Sequence, residues 1–285
     1  MNAPLYVPTE TRPGSRAALF VLLLLGGQLI FVFGSPYFSV FPTNDNVLYS
    51  AALVAAFGLL ALVFRQRPSL AHYAPPFYAL FVAAAANLAL VLGPLNRFLT
   101  AGEPFRLMAQ DKIVQFLTVV PVLVLLAWLA RRDLGWLYVQ RGQPRRWLPF
   151  GLVSLAVCAV VMVAILLWSG MTAGQLLAAS PWILVFVAAN AVMEELWFRG
   201  VFLRSYEAAI GWPGTMMVTA LAYGVSHMNA TYFESAAGLV FGLGVIGLGL
   251  ILAWAMRWGQ SLWGAALFHM GMDLLIILPI VQSIS

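Results

Sequence analysis

The sequence predicts an all-α polytopic membrane protein, a bundle of eight or nine transmembrane helices enclosing a polar cavity. Three observations predict it. Hydrophobic residues make up 62% of the 285-residue chain and charged residues only 9%, against roughly 25% charge in a soluble domain. Mean hydropathy is +0.92. Apolar stretches of about 20 residues, the length that crosses a hydrocarbon core, succeed one another with short gaps, so the chain reads as one helical bundle and not as two soluble domains.

In chain order the expected spans are residues 17–33, 47–64, 76–92, 113–130, 147–168, 181–203, 215–228, 235–256 and 261–280. The first, third and seventh are short. The breaks between them carry turn residues, as at Gly34-Ser35-Pro36, Pro75-Pro76 and Gly211-Trp212-Pro213-Gly214, and read as loops between helices. No signal-peptide cleavage pattern follows the first span, which is expected to stay as an anchor. The organisation is therefore a cytoplasmic tail over 1–16, about five helices over 17–180, and a core of about four helices over 181–285.

Fourteen arginines and one lysine, Lys112, give a net charge of +5. They cluster in loops, with no stripe of the kind that binds nucleic acid, and suit anionic lipid headgroups. Arg12 and Arg16 precede span one, Arg65 and Arg67 follow span two, and Arg131, Arg132, Arg141, Arg145 and Arg146 follow span four. Arg204 follows span six and Arg257 span eight, while the alternate loops hold Asp45, no charge, or Glu234. This alternation puts the N-terminus in the cytoplasm and the C-terminus outside. Only the loop after span three, with Arg97, Glu103, Arg106, Asp111 and Lys112, fits poorly. Arginine-rich, lysine-poor usage leans toward a bacterial inner membrane. The single cysteine, Cys158, excludes an internal disulfide framework and a cysteine zinc site, and reads as a packing residue.

Charge inside the spans carries the functional signal. A charged group at a bilayer centre costs roughly 2.5–3.5 kcal/mol on insertion scales, so one found there is read as functional by default. Glu194, Glu195, Arg199, His227, His269 and Asp273 all lie within or at the edge of spans six, seven and nine. At a rise of about 1.5 Å per residue, Glu194, His227, His269 and Asp273 fall at a common depth of roughly 12–20 Å. Glu195 and Arg199 are four apart and share a helical face, as do His269 and Asp273, and Tyr223 and His227. Glu194 points about 100° away from Glu195, free to look into a cavity. Gly224, and the glycines at 238, 242, 244, 247 and 249, mark close helix packing. Asn190, one turn before Glu194, lines the same pocket or bonds a neighbouring helix.

A desolvated carboxylate is a workable general base near neutral pH, and a neighbouring imidazole can share the proton or donate to an oxyanion. Together these parts suit a water-activating hydrolase. No serine or cysteine nucleophile competes, because Ser226 is not expected to face the same way as its neighbour His227 and Cys158 is remote.

Glu194-Glu195-x-x-x-Arg199, then Tyr223-x-x-x-His227, then His269-x-x-x-Asp273, in that order on late helices, resembles the CPBP family of CAAX prenyl endopeptidases and bacteriocin-processing proteins. The lead-in Gly259-Gln-Ser-Leu-Trp-Gly-Ala-Ala-Leu-Phe-His269 is similar too, and the likeness covers residues 181 to about 279. The resemblance implies an intramembrane glutamic endopeptidase with a polar catalytic cavity, without cofactor or metal. It implies that Glu194 and His227 activate the water, that His269 and Asp273 stabilise the oxyanion, and that Glu195 and Arg199 form a supporting ion pair. Tyr223 stands where the family usually has Phe, and Asp273 where the eukaryotic enzymes have Asn. An ionised Asp cannot donate to an oxyanion, so Asp273 is either protonated or, the preferred role, orients His269. The implied partners are membrane lipids and a peptide or protein substrate, lipidated or not. Two other readings stay open: a zinc-dependent protease using His227, His269 and a carboxylate, and a non-enzymatic immunity or carrier protein.

Overall fold

The structure is a computed structural model that describes residues 13–35, 43–99, 103–228 and 236–282. Most of the expected N-terminal tail and the loop residue Glu234 lie outside them. Ten α-helices and no strand form among the described residues: α1 (Pro13–Gln28), α2 (Thr43–Gln66), α3 (Ala74–Leu92), α4 (Pro104–Leu129), α5 (Pro144–Trp168), α6 (Ala173–Glu195), α7 (Leu203–His227), α8 (Ala236–Gly259), α9 (Leu262–Ile276) and α10 (Leu278–Gln282). Single π-turns extend α1 through Leu29–Phe33 and α6 through Leu196–Gly200. The protein is an all-α polytopic membrane protein.

Among the described residues seven helices are long and apolar enough to cross a membrane, Phe105–Leu129 and Ala173–Gly200 being two of them. The seventh and ninth expected stretches form shorter elements. In α7 the chain leaves helical geometry at Gly211, with φ 73° and ψ 167°, a left-sided conformation that favours glycine. Thr215 Oγ1 then donates to the Gly211 carbonyl at 2.9 Å and restarts the helix. In the ninth stretch α9 stops after 15 residues at Ile277, and α10 follows.

Two boundaries moved with consequences for function. Helix α6 begins at Ala173, eight residues before the expected start at Pro181, because Thr172 and Gln175 form a reciprocal capping box that satisfies orphan amides. Glu194 and Glu195 therefore occupy the last turn of α6, not its middle. Helix α4 begins at Pro104, nine residues before the expected Ile113. Arg106, Asp111 and Lys112 are helical, so the loop that fitted the charge alternation poorly keeps only Arg97 and Glu103.

The described chain divides into two compact units that interleave in sequence, residues 1–91 with 201–250, and 92–200 with 251–285. In the first unit α1 and its π-turn pack along α7, and α2 packs on the turn Pro68–Tyr73. The carbonyls around that π-turn are met by side chains: Tyr49 Oη donates to Leu29 O at 3.1 Å and Asn87 Nδ2 to Gly34 O at 2.8 Å. Gly224 on α7 faces Gly242 on α8, where a Cβ on Gly224 would stand 2.8 Å from the Gly242 carbonyl. That close approach was expected; Gly244 and Gly247 face open space and mark none.

In the second unit α4 packs on α6, α6 on α9, and α9 on α5. Lipid tails are as apolar as this core, so helices associate by fit and polar contacts more than by hydrophobic burial. Fit is supplied where a Cβ on Gly264 of α9 would stand 2.6 Å from Trp147 Cβ of α5. The buried core joins Phe105, Ala109, Leu166, Ile183, Phe186 and Leu274. The start of α9 is pinned by the segment before α5: Leu262 N donates to Tyr138 O at 2.9 Å, Ser261 Oγ to Gln140 O at 2.7 Å, and Gln140 Nε2 to Gln260 O at 2.7 Å. Leu152, Val153, Val157 and Val160 of α5 are exposed, the apolar face of a helix that meets lipid. Cys158 is a free, buried thiol of the same helix.

Candidate active site

The second unit gathers six of the expected site residues, Asn190, Glu194, Glu195, Arg199, His269 and Asp273, into one buried cluster. Arg199, held in the π-turn after α6, is fully buried and places its guanidinium 2.6 Å from Glu195 Oε1. The same oxygen lies 2.9 Å from His269 Nδ1 of α9. An ionised carboxylate only accepts, so Nδ1 carries the proton and donates to Glu195. The imidazole is 1% exposed, and its other nitrogen, Nε2, stands 3.8 Å from Glu194 Oε2 and 3.5 Å from Asp273 Oδ1. Asp273 Oδ2 accepts from Asn190 Nδ2 at 3.0 Å.

These distances revise two expectations. The carboxylate that fixes the tautomer of His269 is Glu195, from another helix, and not Asp273 four residues away. At 3.5 Å Asp273 is beyond the usual hydrogen-bond range of 2.7–3.2 Å. Glu195 is also more than the partner of Arg199, since one of its oxygens bridges the guanidinium and the imidazole. Asn190 joins α6 to α9 through Asp273.

Sequence reasoning missed Lys112. Its ammonium stands 3.9 Å from Glu194 Oε1 and 6.0 Å from the centre of the Phe186 ring. One helical turn on, Gln115 donates to Asp111 Oδ2 at 2.6 Å and is itself buried. The signal was present in the sequence as an acid, a lysine and a glutamine abutting an apolar run, but such a group also reads as the polar end of a loop.

Three carboxylates (Glu194, Glu195, Asp273) thus face the cations Arg199 and Lys112 and the imidazole. Two acceptors, Glu195 Oε2 and Asn190 Oδ1, are buried with no hydrogen-bond partner among the described residues. Among the described residues no three His, Cys, Asp or Glu side chains are gathered as a metal-binding set.

Tyr223 and His227 lie in the first unit, on α7. Tyr223 is buried and His227 half-buried, their rings 4.4 Å apart and edge-on at 61°. His227 Nδ1 lies 2.8 Å from the Tyr223 carbonyl, which can only accept, so Nδ1 bears the proton and Nε2 presents its lone pair. Ser226 does turn toward this histidine, contrary to expectation, with Oγ 3.2 Å from Nδ1. Its hydroxyl donates to the same Tyr223 carbonyl at 2.7 Å. Both side chains fold back along the helix, and a serine facing a protonated Nδ1 is not activated.

The order of motifs, their burial and the carboxylate–imidazole core now stand beside the comparisons. Residues 175–275 match the Rce1-like family model, described as type II CAAX prenyl endopeptidase Rce1-like. This segment of the chain is similar to that family. The match coincides with the stretch that the motif resemblance picked out and includes Glu194, Glu195, Arg199, Tyr223, His227, His269 and Asp273; Lys112 lies outside the Rce1-like segment. No curated protein and no solved structure matches the chain. The Rce1-like segment supports a membrane-embedded peptide hydrolase of the CAAX-endopeptidase kind.

Proposed function

We propose that the protein is an intramembrane glutamic endopeptidase in which Glu194 is the general base. The observation that carries this is the bracketing of buried His269, with Glu195 on Nδ1 and both Glu194 and Asp273 facing Nε2. Such an arrangement needs one proton shared on the Nε2 side, because three carboxylates against two cations leave a buried negative charge.

In the proposed reaction Glu194, with His227 Nε2 as its partner, takes a proton from water while the water oxygen bonds to the scissile carbonyl carbon. The pairing of Glu194 with His227 rests on the family resemblance. The carbonyl electrons move to its oxygen, and the oxyanion accepts from His269 Nε2–H. Collapse breaks the carbon–nitrogen bond, and the proton held by Glu194 passes to the leaving amine. Asp273 keeps the shared proton on Nε2 and is itself steadied by Asn190. Donors placed in advance for a developing oxyanion, out of bulk water, supply much of such a barrier reduction. The substrate is proposed to be a membrane-associated peptide, with a C-terminal prenylated tetrapeptide motif as the first one to try. The enzyme is proposed to lie in a bacterial inner membrane, on its arginine-rich, lysine-poor usage, with its N-terminus in the cytoplasm, on the alternation of loop charge.

The test is cleavage of a quenched peptide panel, prenylated and not, by purified protein in detergent. Glu194→Gln is expected to lose about 1,000-fold or more in kcat while keeping its elution profile. Full activity in that variant ends the proposal.

A further inference from the structure

Helix α4 brings the chain's one lysine to the carboxylate proposed as base. Glu194 divides its two oxygens between two helices: Oε1 stands 3.9 Å from Lys112 Nζ of α4 and Oε2 stands 3.8 Å from His269 Nε2 of α9. Neither distance is that of a hydrogen bond. They are charge contacts, one on each oxygen, that orient the carboxylate. A lysine that merely tolerated a membrane helix would snorkel, lying along apolar surface with its ammonium in the headgroup region. Lys112 does not: its side chain is only 16% exposed, and the ammonium lies 3.9 Å from Glu194 Oε1 and 6.0 Å from the centre of the Phe186 ring, two residues of α6. The cost of burying it falls if Glu194 is charged, and the cost of burying Glu194 falls if Lys112 is there.

We propose that Lys112, outside the Rce1-like segment, is a positioning residue of this site, holding Glu194 Oε1 so that Oε2 is aimed at His269 and the reacting water. This deepens the glutamic-protease proposal and rests on it. It makes α4 part of the catalytic apparatus, so the Rce1-like segment is not the whole of it. The charged groups facing Glu194 are then Lys112 from α4, His269 and Asp273 from α9, and Glu195 beside it on α6.

The experiment compares full-length wild type, Lys112→Met, Lys112→Arg and Glu194→Gln in detergent micelles. The first readout is cleavage of a quenched peptide ending in a farnesylated tetrapeptide motif. Lys112→Met is expected to lower kcat about 10-fold to 100-fold, the scale of a small misplacement of a reacting group, with KM within about twofold of wild type. Lys112→Arg is expected to recover most of the loss. A Lys112→Met kcat equal to wild type overturns the proposal. Should the Met variant fail to fold, Lys112→Gln, which keeps a donor without the charge, takes its place under the same criterion. The second readout needs no substrate: a hydrophobic carbodiimide adds to carboxylic acids only in their protonated form, and mass mapping locates the adduct. Labelling at Glu194 is expected to rise several-fold in Lys112→Met over wild type and Lys112→Arg. If wild type cuts nothing, the protease reading fails on that substrate, while equal labelling of wild type and Lys112→Met separately sinks the role of Lys112.

Discussion

The two histidines of this chain that lie near its motifs are held in opposite ways. His269 is buried among side-chain carboxylates from two helices, with Glu195 at 2.9 Å on one nitrogen and Asp273 and Glu194 near the other. His227 is half-buried, and its nitrogen partners are the Tyr223 carbonyl at 2.8 Å and Ser226 Oγ at 3.2 Å, both from its own helix. A backbone carbonyl fixes a tautomer and nothing more; Nε2 of His227 keeps a lone pair. Carboxylates from two helices stand at both nitrogens of His269. One imidazole is therefore built to accept and the other to donate. In the proposed reaction His227 accepts and His269 donates.

The contrast can be broken most severely at its base. Arg199→Ala leaves Glu195 buried with its main cation gone, and removing one partner of a buried pair costs about 3–5 kcal/mol. The variant is expected to express poorly or to melt far below wild type in detergent, as followed by tryptophan fluorescence; an unchanged melt would show that Glu195 is held by His269 alone. Next come the histidines themselves. Both His269→Ala and His227→Ala are expected to abolish peptide cleavage, but only His269→Ala should also lower thermal stability, because it orphans a buried acceptor at about 1–3 kcal/mol. Equal melting temperatures for the two would erase the distinction drawn between them. A smaller effect is expected for Asn190→Ala. Interhelical hydrogen bonds in membrane proteins average about 0.6 kcal/mol, so the melt should shift slightly while kcat falls through loosened Asp273. The smallest belongs to Ser226→Ala, since that hydroxyl is spent on the Tyr223 carbonyl. Cleavage at wild-type rate is expected, and a large loss would reopen a serine mechanism.

Some of this was legible in the chain and some was not, for physical reasons that can be traced to residues. Glu195 and Arg199 pair as their i,i+4 spacing predicted, since helical periodicity alone sets that contact. His269 and Asp273 have the same spacing yet stand 3.5 Å apart at Nε2, while Glu195 from α6 makes the 2.9 Å contact at Nδ1. Hydropathy located the spans well wherever apolar residues were continuous. It failed at their polar ends, cutting α4 at Ile113, although Phe105 and Ala109 before it are buried, and α6 at Pro181, although the Thr172–Gln175 cap starts that helix earlier. The error on α4 hid Lys112, which a hydropathy window assigns to water.

The sequence by itself determined the class of the molecule, the number of its long apolar helices to within one or two, and which ionisable residues were too costly to be idle. Backbone groups in lipid must be satisfied within the segment, so composition and local order are enough to decide that much. Which acid holds which nitrogen, and whether a lysine sits in a loop or against the base, depended on helices far apart in sequence coming into register. No periodicity within one helix encodes the approach of another. Only the packing of α4, α6 and α9 decided that Glu195 serves two cations, that Asp273 is partnered by Asn190, and that Lys112 faces Glu194.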